Sequence, residues 1–144
     1  MIELIQAKFE DFEFLYRLKK TTLKEYISKT WGWNEKWQEE YFSKNFNPDL
    51  LKIIMKAGKK IGCISIIYEE DQIFLSLIEI LPDYQNKGIG SKLIKELLGK
   101  ADKIKKPVFL KVLKANEKAK KLYFRLGFSI KEESETHFKM TYKK

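Results

Sequence analysis

The chain has 144 residues, 44% of them hydrophobic, and a formal net charge of +9 at pH 7. That length suffices for one domain with a real core, so a single domain over residues 1–144 is expected. No stretch approaches the roughly 18 apolar residues of a membrane-spanning helix, and the acidic first dozen residues lack the basic and apolar regions of a signal peptide.

A single cysteine, Cys63, permits no internal disulfide, which points to a reducing, cytoplasmic setting. It lies in an apolar run with no histidine close in sequence and reads as a small core residue. The positive charge raises the question of a nucleic-acid partner. Yet the cations are nearly all lysine, with Arg17 and Arg125 the only arginines. Spread lysine reads as a solvated surface rather than as a reader of bases and phosphates. Such a field still attracts an anionic cofactor. One histidine and one cysteine cannot build a nitrogen and sulfur metal cage, so no metal site is expected.

Residues 2–7 read as a first strand, with Ile2, Leu4 and Ala7 making apolar contacts. Glu10 and Asp11 then open a helix to about residue 29, whose Phe12, Leu15, Leu18 and Leu23 recur at helical spacing. Thr21 and Thr22 mark a place where it could kink. Gly32 ends that helix, and Asn34 caps a second one running to residue 45. Around this junction stand Trp31, Trp33 and Trp37. Trp33, Trp37 and Tyr41 recur every four residues and share a face. They either pack into the core, or line a cleft that holds a cation or flat group, or form the interface of a homodimer.

Residues 50–56 and 60–68 make a hairpin around Ala57, Gly58 and Lys59. Glu69, Glu70 and Asp71 form an acidic turn. Residues 73–81 are a nearly continuous apolar strand, broken by Pro82 and Asp83. The following loop, Gln85, Asn86, Lys87, Gly88, Ile89, Gly90 and Ser91, opens an amphipathic helix. Ile89, Leu93, Ile94, Leu97, Leu98, Ala101 and Ile104 form its core face. Strand, loop and helix gather backbone N–H groups and a positive helix end at one point, which suits phosphate or pyrophosphate. The loop lacks the Gly-Lys-Ser/Thr ending of a Walker A sequence and the third glycine of a dinucleotide fingerprint. Pro107 closes this helix, and residues 108–113 are a fifth strand, parallel to the fourth. A helix at 116–125 is stopped by Gly127. Strands at 128–132 and 137–142, joined by a polar turn, end the chain.

Three segments resemble the GNAT superfamily of N-acetyltransferases. Residues 77–94, LIEILPDYQNKGIGSKLI, carry the Q-x-x-G-x-G pattern after a strand. Residues 110–128, LKVLKANEKAKKLYFRLGF, place Asn116, Tyr123, Gly127 and Phe128 at the family's spacing. Residues 30–38, TWGWNEKWQ, resemble a bacterial subgroup with a WGWNE-like segment. The resemblance spans the whole chain. It implies an α/β (α+β) fold with a mixed central sheet of about seven strands, splayed between strands 4 and 5, and about four helices.

It also implies acetyl-CoA as co-substrate, no metal, and direct attack by a primary amine in a ternary complex. Backbone groups of Ile78 and Ile80 would meet the pantetheine and the acetyl carbonyl, with the Ile80 N–H polarising the carbonyl. Amides of Gln85, Asn86, Lys87, Gly88, Ile89, Gly90 and Ser91 would hold the pyrophosphate. Asn116 would bond the pantetheine arm, a role compatible with capping a helix. Tyr123 is the candidate general acid for the leaving thiolate, or else a core tyrosine beside Leu122 and Leu126.

Glu79 is the first candidate base. As the lone carboxylate of an apolar strand it would have a raised pKa if buried; alternatively it points outward toward a lysine. His137 is the second candidate, for base or acceptor contact, and Trp31, Trp33 and Glu35 are candidate acceptor contacts. Lys111 stands where some N-terminal acetyltransferases of the family carry a glutamate. This argues against copying their base and against a peptide N-terminus as acceptor. The expected function is acetyl transfer to a small amine or lysine-like group. The alternative is a silent acyl-CoA-binding or regulatory module, or a weak nucleic-acid binder.

Overall fold

A computed structural model describes residues 1–144. Seven strands form one sheet in the order β1-β2-β3-β4-β5-β7-β6. They are β1 Ile2–Gln6, β2 Lys52–Lys56, β3 Lys59–Tyr68, β4 Ile73–Ile80, β5 Val108–Leu113, β6 Ser129–Glu133 and β7 His137–Tyr142. Four α-helices accompany them: α1 Phe12–Trp31, α2 Glu35–Asn45, α3 Ile89–Ile104 and α4 Glu117–Arg125. β4 and β5 run parallel and share register at their starts, Ile73↔Val108 and Phe74↔Phe109. β5 pairs with β7 antiparallel over its whole length, so the sheet is mixed, as expected. The chain's contacts gather into two compact units, Met1–Ser65 with Leu77–Gln85, and Ile66–Ser76 with Asn86–Lys144.

In the first unit, Leu15 and Leu18 of α1 pack with Ala7, Ile53 and Cys63. α1 runs unbroken through Thr22, whose hydroxyl donates to the Leu18 carbonyl at 2.9 Å. Gly32 at φ 83° ends it, with its N–H on the Ser28 carbonyl. Asn34 caps α2, its side chain accepting from the Trp37 N–H at 2.9 Å. The two helices meet through rings: Phe12 lies edge-on to Phe42 and Phe46 at 5.2 Å from each, and Tyr16 is tilted on Phe42.

The inward face of this segment is therefore Gln38 and Phe42 of α2 and Phe46 just after its end. Trp37 and Tyr41 are 55% and 49% exposed and stack on each other at 5.0 Å. The purely apolar phenyl rings take the partly buried inner positions, while indole and phenol, each with a polar handle, tolerate water.

The β2–β3 turn is tighter than the sequence indicated. Ala57 and Gly58 both have positive φ, and Lys59 pairs with Lys56, so Lys59 belongs to the strand. Leu4, expected to make apolar contacts, is 43% exposed because β1 is an edge strand with little to cover it.

In the second unit, Leu93, Ile94, Leu97, Leu98 and Ala101 of α3 are buried as their spacing indicated. Ile104 is not: it is 51% exposed in the last turn, where Lys105 turns left-handed and reverses the chain. Phe74 and Phe109 stack at 4.5 Å, and the Tyr142 hydroxyl donates to Asp102.

Gly62 of β3 admits the end of β4. A Cβ there would stand 2.2 Å from the Glu79 carbonyl oxygen. Both atoms are backbone-anchored, so β4 itself would have to shift. We expect Gly62→Ala to cost at least about 2 kcal/mol, read as a lowered urea midpoint at unchanged slope. An unchanged midpoint would show that this approach is not a constraint.

Candidate active site

β4 ends as an alternating strand should. The Leu81 N–H reaches back to the Ile61 carbonyl at 2.8 Å, so the preceding N–H, that of Ile80, points away from β3. Gln85 donates to the Ile80 carbonyl at 2.8 Å and ties the loop to the strand. Pro82–Tyr84 forms a single 3₁₀ turn between them.

The Glu79 side chain lies on the inner side of the first unit and is only 4% exposed. Its Oε1 accepts from the Cys63 thiol at 3.7 Å, and its Oε2 has no hydrogen-bond partner. Burial pushes its pKa up to about 7, against the pull of the Lys19 charge and the Cys63 thiol. The outward-pointing alternative is thus set aside. The same burial, with Glu79 alongside, drives the Cys63 thiol far above its ordinary range, so Cys63 is an inert partner.

Lys19, on α1, was not singled out by the sequence. Burial lowers its pKa while Glu79 opposes that shift. Its ammonium lies 5.5 Å from the Tyr41 ring centre and 5.6 Å from that of Phe42. The only sequence signal was its place directly after Leu18, at the border of the apolar stripe.

Glu35 begins α2 and faces α1. Its carboxylate accepts from Lys20, Tyr16 and Trp33, and these donors, with Lys20 foremost, hold its pKa down to about 2. It clasps the two helices together. Trp33 is half-buried with Lys24 over its ring at 5.7 Å, and Trp31 is 61% exposed.

The glycine loop turns through two left-handed residues, Asn86 at φ 61° and Gly88 at φ 81°. Around Gly88 the space is open, with nothing within 4 Å of a Cβ placed there. Lys92 N–H begins the helical bonding on the Gly88 carbonyl, leaving the N–H groups of Ile89, Gly90 and Ser91 without helical partners. The first turn of α3 holds no acidic residue, whereas α1, α2 and α4 carry Glu13, Glu35 and Glu117 there. A shallow groove lined by Gly88, Ser91, Lys92, Lys95 and Glu96 adjoins it. These features fit a pyrophosphate.

Asn116 caps α4 through its Oδ1, which accepts from the Ala119 N–H at 3.1 Å, so its amide NH₂ remains a donor. Tyr123 is buried edge-on to Phe128, and burial pushes its phenol up to about 12. It therefore stays protonated at neutral pH. His137 opens β7 opposite Leu113, and the Thr136 hydroxyl lies 2.8 Å from its Nδ1. Burial, then the Lys111 charge, lower its pKa. There is no cluster of three metal-ligating side chains.

The raised Glu79 pKa has a defined effect on stability. The folded protein holds this proton up to about pH 7, whereas the ordinary carboxyl gives it up near 4.5. Its contribution is complete below the lower value and is lost as pH rises through the higher one. Urea midpoints of Glu79→Gln and wild type should therefore run parallel in acid. The variant should gain on the wild type from pH 4.5 to above 7. A constant difference across that range would contradict the buried carboxyl.

Among solved structures, the PaiA N-acetyltransferase of Thermoplasma acidophilum, in complex with coenzyme A, superposes with a TM-score of 0.80 at 19% identity, covering 100% of this chain and 99% of that one. The ribosomal-protein-S18-alanine N-acetyltransferase of Escherichia coli gives 0.68 at 19% identity, covering 99% and 94%. Arabidopsis thaliana Naa50, in complex with the bisubstrate analogue CoA-Ac-MVNAL, gives 0.66 at 19%, covering 97% of both chains. At these identities the likeness is one of fold. No curated protein matches the sequence. The model of the Acetyltransferase (GNAT) family matches residues 12–128, so the chain belongs to the GNAT acetyltransferase family.

Proposed function

We propose that the protein is an acetyl-CoA-dependent N-acetyltransferase acting on a primary amine of a small molecule or a lysine-like group. The observation that carries this is the loop of Asn86 and Gly88, with its left-handed turns and open space, leading into an α3 whose first turn has no acid. In support, the chain is a GNAT acetyltransferase, and a similar structure contains coenzyme A.

In this reading the amides from Gln85 to Ser91 hold the pyrophosphate, and the Asn116 amide donates to the pantetheine arm. The Ile80 N–H, directed away from β3, polarises the thioester carbonyl. Glu79, half-ionised near neutral pH, takes a proton from the acceptor ammonium directly or through water. Tyr123 returns a proton to the departing thiolate. Ile78 flanks the cofactor through its backbone. Trp31, Trp33 and His137 are acceptor-side candidates, with Glu35 holding Trp33 in place.

The first test is thiol release from acetyl-CoA across amino acids, polyamines, aminoglycosides and lysine or N-terminal peptides, beside a thermal shift with acetyl-CoA alone. At a hundred times the dissociation constant, binding adds about 2.7 kcal/mol. No shift at millimolar acetyl-CoA would sink the proposal. With an acceptor in hand, Tyr123→Phe should lower kcat by about a hundred-fold and leave acetyl-CoA affinity unchanged. Equal losses in both would make Tyr123 structural. Wild-type activity should fall below about pH 7 as Glu79 gains its proton, and Glu79→Gln should lose that acid limb; a limb that persists in the variant belongs to another group.

A further inference from the structure

The two oxygens of the Glu79 carboxyl are not equivalent. The Leu81 N–H on the Ile61 carbonyl pins β4 to β3. Two residues on along β3 and two back along β4, Cys63 and Glu79 stand across from each other, and side chains so placed meet. Gly62, beside Cys63, lets the two backbones close in, since a Cβ there would lie 2.2 Å from the Glu79 carbonyl oxygen. The Cys63 thiol donates to Oε1 at 3.7 Å, where Cys63 is 1% and Glu79 4% exposed. Oε2 is buried without a partner. Of the titratable groups, Cys63 on β3 and Lys19 on α1 are the ones that act on this carboxyl. The thiol does not ionise in the working range, because burial first, and then Glu79, push it far up. It is a permanent donor and no nucleophile.

We propose that Cys63 is a positioning residue for the transfer: its S–H holds Oε1 and leaves Oε2 as the oxygen that takes the acceptor's proton. This rests on the reading of Glu79 as the base. In the acid form the carbonyl-type oxygen remains an acceptor, so the thiol stays on Oε1 and the proton rides on Oε2. During transfer an ammonium N–H bond breaks and an Oε2–H bond forms, directly or through water. Nitrogen keeps the electron pair that attacks the thioester. The Cys63 S–H bond is neither made nor broken. A donor favours the charged carboxylate over the neutral acid, so the thiol also sets the pH at which the base is ready. A thiol is a weak donor. A stronger one would hold the carboxylate ionised to lower pH and leave it a weaker base.

The test compares Cys63→Ser, a stronger donor of nearly the same shape, with Cys63→Ala, which has none. The urea midpoint needs no acceptor. As pH rises from 4.5 to above 7, it should fall less in Cys63→Ser than in wild type and more in Cys63→Ala. With an amine that the thiol-release panel turns over, the acid limb of kcat/KM should move down by about one pH unit in Cys63→Ser and up by about as much in Cys63→Ala. A residue that merely fills space would lower activity at every pH and leave the limb in place. Should Cys63→Ala fail to fold, Cys63→Val fills the site without a donor and takes its place. Midpoints that fall equally in all three proteins overturn the inference. Limbs that coincide in all three, with Glu79→Gln having lost its own, overturn this inference alone. A limb that persists in Glu79→Gln removes Glu79 as the base, and both readings fall.

Discussion

A carboxylate shut away from water is the constraint around which the first unit is arranged. Burying an ionised carboxyl without compensation is costly enough that the group keeps its proton instead. Glu79 meets this condition with a thiol on one oxygen, the charge of Lys19 nearby, and a pKa about 7. Each of those elements has its own support. Cys63 sits in the core with Leu15 and Leu18. Lys19 is steadied by the rings of Tyr41 and Phe42, which α2 presents because its phenylalanines pack on α1. Gly62 lets the backbone at Glu79 come close to β3. The result is a group poised between acid and base at neutral pH, on a residue next to an N–H that faces away from β3.

In the proposed function the second unit meets a different electrostatic problem. An anion is best met by dipoles that need no rearrangement. The loop turns through left-handed residues at Asn86 and Gly88, and the helix behind them brings its positive end without an acidic residue to neutralise it. The basic groove residues Lys92 and Lys95 add a field to this point. Asn116 divides its side chain, one atom closing α4 and the other left as a donor. In the proposed function this lets one residue serve both a helix end and a ligand.

Much of this was legible in the sequence. The order of elements, the mixed sheet, the glycine loop, the caps at Asn34 and Asn116 and the stop at Gly32 all follow from local chemistry: apolar spacing, positive φ and side-chain oxygen near free N–H groups. These depend on neighbours a few residues away, which the sequence displays. The family likewise shows in motifs that are local.

The tertiary structure alone decided which faces are dry and which charges meet. The regular spacing of Trp33, Trp37 and Tyr41 gave no means of knowing that Phe42 and Phe46 would take the interior, because that choice was made by Phe12 and Tyr16 on another helix. Glu35, read as a candidate acceptor contact, is held by three donors, two of them on α1. Cys63 bonds Glu79, and the charge of Lys19 acts on it, only when α1, β3 and β4 come together, with residues sixteen apart for the thiol and far more for the lysine. Periodicity fixes what a segment becomes. The pKa of a buried group depends on what the rest of the chain brings to it, and that information is not local.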